Sequence, residues 1–160
     1  MTKQRILAIC IHNSARSQMT EELLRRCAGD LAEVESAGIE PGSVNPVVVE
    51  LLKEDGIDIS AKKTQSVFEL HRAGKSFDYV IAVCDPEAAE RCPIFPAEKK
   101  RLHWPFDDPS ARTRAMEGRP MSEKVEAIRP IRDSIREKVE AFCAELRREA
   151  EHASPGEKAK

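Results

Sequence analysis

The chain has 160 residues, enough for one domain with a real core, and its charged residues, 34% of the total, nearly cancel to a net charge of −2. That balance argues against a nucleic-acid or membrane-surface partner, and 4% aromatics leave no stacking platform for bases. No apolar stretch approaches the ~20 residues of a membrane span, and no cleavable leader pattern follows the first apolar run at 6–11. The expected location is therefore the cytoplasm, where the five cysteines are expected to be reduced and any disulfide transient.

Residues 6–9 are a short apolar run that ends at Cys10 and reads as a buried strand. Asn13-Ser14 reads as a turn. The spacing of Met19, Leu23, Leu24 and Cys27 predicts a helix over 17–28, with Ser14 or Ser17 as its N-cap and Gly29 as its stop. Residues 33–37 alternate and read as a second, more exposed strand. After a loop from 38 to 45, Pro46 starts a helix with Val47, Val48, Leu51 and Leu52 on one face, ended by Gly56. A short helix is expected over 66–72. Residues 79–84 form a near-continuous apolar run, the mark of a strand buried on both faces. Another short helix is expected at 87–91, and residues 101–104 give a fourth strand. Residues 105–109 read as a loop. From 122 to 150, Val125, Ile128, Ile131, Ile135, Val139, Phe142 and Leu146 recur at helical spacing, and Pro130 predicts a break or kink near 129. Residues 1–151 thus read as a single domain and 152–160 as a frayed tail.

Strands alternating with helices imply a parallel α/β sheet with helices on both faces. In such sheets ligands sit beyond the carboxyl ends of the strands, which is where Cys10 falls. Cys10, five residues and then Arg16 place a cysteine at a strand's end, a tight polar loop, and an arginine at a helix N-terminus. That is a site for a tetrahedral oxyanion. The amides of Ile11, His12, Asn13, Ser14, Ala15, Arg16 and Ser17 and the helix dipole converge on the anion, and Arg16 clamps two of its oxygens. The same dipoles and a serine hydroxyl favour a Cys10 thiolate ready to attack. Cys84 also ends a strand. If that strand neighbours the first, the ~4.8 Å strand spacing brings Cys84 within bridging reach of Cys10. Cys92 follows eight positions later. Cys27 and Cys143 fall on apolar helical faces and read as core thiols. No metal is expected, since no Cys-x2-Cys or histidine pair is present. His12 either flanks the anion or points to solvent, and Trp104 reads as packing.

The string Cys-Ile-His-Asn-Ser-Ala-Arg-Ser-Gln-Met at 10–19, directly after an apolar strand, resembles the arsenate reductases built on the low-molecular-weight protein tyrosine phosphatase fold. The phosphatases themselves usually have proline where this chain has Gln18. The resemblance covers nearly the whole chain and implies a four-stranded parallel sheet of order 2-1-3-4. It implies that Asp108, in Asp107-Asp108-Pro109, is the general acid, and that Cys84 and Cys92 are the two further cysteines of the thioredoxin-coupled group. Asn13, Ser17, Glu21 and Ser36 match positions that support the loop. Asn13, Glu21 and Ser36 also bind potassium in some arsenate reductases, but the further carboxylate expected near 64–66 is not evident. Phosphatases of this fold place an aromatic after Asp-Pro, where this chain has Ser110, which favours a small inorganic oxyanion.

The resemblance thus implies an arsenate reductase, with phosphate and sulfate as competing oxyanions, thioredoxin as reductant, no cofactor, and a monomeric state. Cys10 attacks arsenate, Asp108 protonates the departing oxygen, Cys84 attacks Cys10, and Cys92 relays the oxidation outward. One rival is a phosphatase on phosphotyrosine or small phosphoesters, which needs Cys10, Arg16 and Asp108 but neither Cys84 nor Cys92. Another is a non-catalytic oxyanion or redox sensor. Eight residues of helix would hold Cys84 and Cys92 ~12 Å apart, so oxidation is expected to unwind 85–92.

Overall fold

A computed structural model describes residues 3–84 and 95–152. Four parallel strands form one sheet in the order β2-β1-β3-β4: β1 (Gln4–Cys10), β2 (Ala32–Gly38), β3 (Phe77–Ala82) and β4 (Ala97–His103). The expected strand order is the observed one. The helices are α1 (Arg16–Ala28), α2 (Pro46–Lys53), α3 (Val67–Arg72), α4 (Pro109–Arg114) and α5 (Met121–His152).

β1 is central, and the alternation of its side chains divides the core in two. Ile6 and Cys10 face one layer with Tyr79 and Ile81 of β3, against α1, α2 and α5. Leu7 and Ile9 face the other, with Val80 and Phe77, against Val67 and Leu70 of α3 and Phe95. This explains why residues 6–9 read as apolar without alternation: both faces are covered. β4 is the edge strand and mostly exposed, so its composition gave a weak signal and its first four residues were not expected in a strand. β3 runs from Phe77 rather than 79 and stops at Ala82, so Cys84 lies two residues past the strand. The helix expected from Pro46 and the short helix expected over 66–72 are both present. Asn45 caps α2 through Val47 N, and Ser66 caps α3 through Phe68 N and Glu69 N.

Four expectations are corrected. Neither Ser14 nor Ser17 caps α1; its N-cap is Ala15, without a side-chain cap bond, because the Ser17 hydroxyl is engaged with Cys10. Residues 109–114 form a helix, which Asp108 caps through Ser110 N and Pro109 starts. Of the break or kink expected near 129, the break is absent: α5 is continuous over 32 residues with Pro130 inside it. Pro130 is exposed, so the carbonyl four residues earlier can turn to water, while Ile128, Ile131 and Ile135 hold the helix against the core. Finally, Cys27 of α1 and Cys143 of α5 are joined in a disulfide, their Cα atoms 6.4 Å apart. Helical periodicity put each on an inner face but could not show that the two faces oppose each other. The helix expected at 87–91, Cys92, the unwinding expected over 85–92 and the tail beyond His152 lie outside the described residues.

Candidate active site

The site is built where β1 ends. Past Cys10 the chain turns through Asn13, whose φ of 55° lies in the left-handed region that Asn tolerates better than most residues. It then enters α1 at Arg16. Every carbonyl from 10 to 14 is taken by a donor outside the loop. Those of Cys10, Ile11, His12 and Ser14 accept from the amides of Ile39, Glu40, Gly42 and Asn45, at 3.2, 2.8, 3.0 and 2.9 Å. That of Asn13 accepts from Gln18 Nε2 at 2.9 Å. A trans peptide points its N–H opposite its C=O. With the carbonyls pulled outward, the amides of 11–15 turn toward the loop's centre. Gly38 permits this close approach, since a Cβ there would meet Asn13 N and Ile11 O at 2.8 Å.

Cys10 sits in that centre, 2% exposed, its Sγ 2.8 Å from Ser17 Oγ and receiving a bond from Asn13 N at 3.2 Å. Arg16 is buried, and its guanidinium is aimed by the loop before α4: Nη1 donates to Phe106 O at 3.1 Å, and Nη2 lies 3.9 Å from Asp108 Oδ2. Asp108 Oδ1 is held by Ser110 N at 2.9 Å, so its other oxygen faces Arg16. The neighbouring Asp107 is turned away, 75% exposed and paired with Arg112 at 2.9 Å. His12 is exposed, its Nδ1 2.9 Å from the Glu40 carbonyl oxygen. Cys84 is fully buried, in the same core cluster as Cys10. Extending the β1–β3 register from Ile9–Ala82 puts Val83 opposite Cys10, with Cys84 next along. The Cys84 carbonyl oxygen is 2.7 Å from His103 Nε2.

Behind the loop lies a buried polar chain. Asn13 Nδ2 donates to Ser17 Oγ at 2.8 Å and Ser36 Oγ at 2.9 Å; Ser36 Oγ donates to Glu21 Oε1 at 2.5 Å. Asn13 Oδ1 accepts from Gln65 N at 3.0 Å. Glu21 Oε2 accepts from Arg25 Nη2 at 2.8 Å and from the Lys62 ammonium. Asn13, Ser17, Glu21 and Ser36 were expected here. Lys62 and Gln65 were not, because nothing in their local sequence ties them to a loop 50 residues away.

Beside the loop runs a groove of about 580 Å³, lined among others by His12, Ser14, Asn45 and Ser110, with no phenylalanine, tyrosine or tryptophan among the described lining residues.

Residues 5–152 match the family model of the low molecular weight phosphotyrosine protein phosphatases. The chain belongs to that family. Within it, the chain is 39% identical over 142 residues to arsenate reductase 2 of Staphylococcus haemolyticus, spanning 89% of this chain and 98% of the relative. It is 39% identical over 145 residues to an arsenate reductase of Halalkalibacterium halodurans, spanning 89% and 97%. Two solved structures share the fold. One is the thioredoxin-dependent arsenate reductase of Corynebacterium glutamicum, with a TM-score of 0.63 at 28% identity over 91% of this chain and 62% of that one. The other is an arsenate reductase in the phosphate-binding state, with a TM-score of 0.71 at 24% identity over 89% and 98%.

Proposed function

We propose that this chain is an arsenate reductase that works through Cys10, Cys84 and Cys92 and draws its electrons from thioredoxin. The observation that carries this reading is the second cysteine, Cys84, buried in the same cluster as Cys10 beyond the adjoining strand. Phosphate-ester hydrolysis requires no such thiol; discharge of an arsenic–sulfur bond does. The groove without phenylalanine, tyrosine or tryptophan supports a small inorganic oxyanion over phosphotyrosine.

Arsenate enters the ring of amides, and Arg16 and the α1 N-terminus balance its charge. The Cys10 thiolate attacks arsenic. One arsenic oxygen leaves as water, with Asp108 supplying a proton. Asp108 is the acid rather than Asp107, since only its carboxyl faces Arg16. The Cys84 thiolate then attacks Cys10 Sγ. The Cys10–Cys84 disulfide forms, the sulfur–arsenic bond breaks, and its electron pair stays on arsenic, which departs as arsenite. Cys92 attacks Cys84 and frees Cys10; thioredoxin reduces the Cys84–Cys92 disulfide by thiol exchange. Cys27–Cys143 is no part of this relay, because it lies about 16 Å along α1 from Arg16. Phosphate and sulfate compete for the ring. No helix among the described residues is long and apolar enough to cross a membrane; a cytoplasmic monomer completes the proposal.

The test is arsenate turnover with thioredoxin, thioredoxin reductase and NADPH, run beside hydrolysis of p-nitrophenyl phosphate. Cys84→Ser is expected to abolish arsenite release and spare any ester hydrolysis. Arsenate turnover that persists in Cys84→Ser would refute the relay.

A further inference from the structure

The polar chain behind the Cys10 loop does not fit a potassium ion. A cation there would need the oxygens of Glu21, Ser36 and Asn13, and all three are committed to protein donors. Glu21 Oε1 accepts from Ser36 Oγ at 2.5 Å, and Glu21 Oε2 from Arg25 and Lys62. Asn13 Oδ1 accepts from Gln65 N at 3.0 Å. Where a further carboxylate could have completed the cage, Gln65 instead donates its Nε2 to Ser36 O at 2.8 Å.

We propose that Lys62 is a built-in cation for the catalytic loop, a positioning residue whose ammonium on buried Glu21 fixes which way the hydrogen bonds run to Cys10. The inference rests on the reading of Cys10 as the nucleophile.

The direction follows from donor and acceptor types. A carboxylate only accepts, so Ser36 spends its single hydrogen on Glu21. Ser36 Oγ can then only accept from Asn13. The Asn13 amide is orientated by the Gln65 N–H on its oxygen, so its second N–H goes to Ser17 Oγ. Ser17 has now accepted from Asn13, and its own hydrogen is left to point at Cys10 Sγ, 2.8 Å away. The Cys10–Ser17 bond on its own could run either way. The carboxylate three links back decides that it runs toward sulfur, where it stabilises a thiolate.

That carboxylate needs a counter-charge, since the Glu21 side chain is only 3% exposed. Arg25 supplies part of it from one turn along the same helix, but its side chain is 48% exposed. Lys62 is 25% exposed and arrives from a different segment, bridging Glu21 and Glu22, with 3.1 Å to Glu22 Oε1. It therefore also pins the α2–α3 connection that carries Gln65 onto the back of the loop. A cavity of about 270 Å³ opens beside Glu21, Ser36, Lys62 and Gln65, which leaves a path for a small cation once the lysine is shortened.

The experiment compares the wild type with Lys62→Met, Lys62→Arg and Lys63→Met, the last altering an exposed neighbouring lysine. Wild-type turnover is expected to be the same in potassium, sodium or tetramethylammonium chloride at equal ionic strength. Lys62→Met is expected to lose on the order of tenfold in kcat/KM for arsenate. The fall should be mainly in kcat, with a matching fall in the alkylation rate of Cys10 by iodoacetamide. Potassium or methylammonium should restore part of both, while tetramethylammonium, too bulky for the cavity, should not. Lys62→Arg and Lys63→Met should stay near wild type. Stimulation of the wild type by potassium would overturn the proposal without any variant. So would a Lys62→Met protein with wild-type kcat and alkylation rate, or one whose loss no small cation relieves. Should the wild type not reduce arsenate at all, the proposed function fails, while Cys10 alkylation and its protection by phosphate still judge Lys62.

Discussion

Gly38→Ala offers the most direct test of how the fold shapes the oxyanion ring. Gly38 closes β2, in register with Cys10. Its φ is not in the left-handed region, so an alanine has no conformational objection there. Space is the objection. The added methyl would lie 2.8 Å from Asn13 N, 2.8 Å from Ile11 O and 2.9 Å from His12 C, all backbone atoms of the ring. Relief to ordinary contact needs a shift of about 0.5 Å, and neither side moves freely. Gly38 N is bonded to Gln65 O at 2.8 Å, and Glu40 N to Ile11 O at 2.8 Å. Overpacking of this kind costs about 1–3 kcal/mol. For a chain of this length that lowers Tm by roughly 2–10 °C. The atoms displaced belong to the peptides whose amides face the anion, Asn13 N among them, and a misplacement of ~1 Å costs about 100-fold. Half of that predicts a loss of about tenfold in kcat/KM for arsenate, with a parallel loss of phosphate inhibition. Thermal denaturation and steady-state kinetics measure the two. Gly42→Ala is the control: its Cβ would meet only His12 Cβ at 3.8 Å, an ordinary contact. A Gly38→Ala protein with wild-type Tm and kinetics would show that the β2–loop contact does not shape the ring.

Arg16→Ala should remove phosphate binding and turnover together, since Arg16 is the buried cation that Phe106 O and Asp108 aim at the ring; calorimetry showing unchanged phosphate affinity would contradict this. Cys143→Ser in non-reducing buffer should lower Tm by roughly 10 °C, because the Cys27–Cys143 bond closes a loop of sequence separation 116; a wild-type Tm, or two extra titratable thiols in the native protein, would argue against the bond. Burial, and then the hydrogen bond to Glu149, push the Tyr79 phenol up to about 12, above its ordinary 10. The folded state thus keeps a proton that the unfolded chain gives up, so this contribution is intact below pH 10 and lost as pH rises toward 12. Tyr79→Phe should therefore flatten the fall in stability across that window, as followed by urea denaturation.

The parallel α/β class and the site's position were legible because they rest on short-range features, whereas the strand order was implied only by the family resemblance. Residues 6–9 announce a buried strand, Cys10 to Arg16 announce the ring, and Pro46 with Val47, Val48, Leu51 and Leu52 announces α2. What stayed hidden depends on pairs distant in sequence. A composition rich in charge marks 97–100 as solvent-facing and says nothing of the β3 edge they pair with. Pro130 looks like a helix breaker until its exposure is known. Cys27 and Cys143 look like two core thiols until α1 and α5 are packed together.

The same holds within the site. Sequence supplies the anion ring's residues, but their amides point inward because, Asn13 apart, the 39–45 segment pulls the carbonyls outward through backbone N–H groups, which any residue but proline provides. Such a contact leaves almost no trace in residue identity; its trace here is Gly38, required by closeness rather than by backbone angle. The loop's nucleophile is thus encoded locally and its geometry remotely. Gly38→Ala separates the two, because it alters no group that touches the anion and yet is expected to displace the peptides of 11–13 that do.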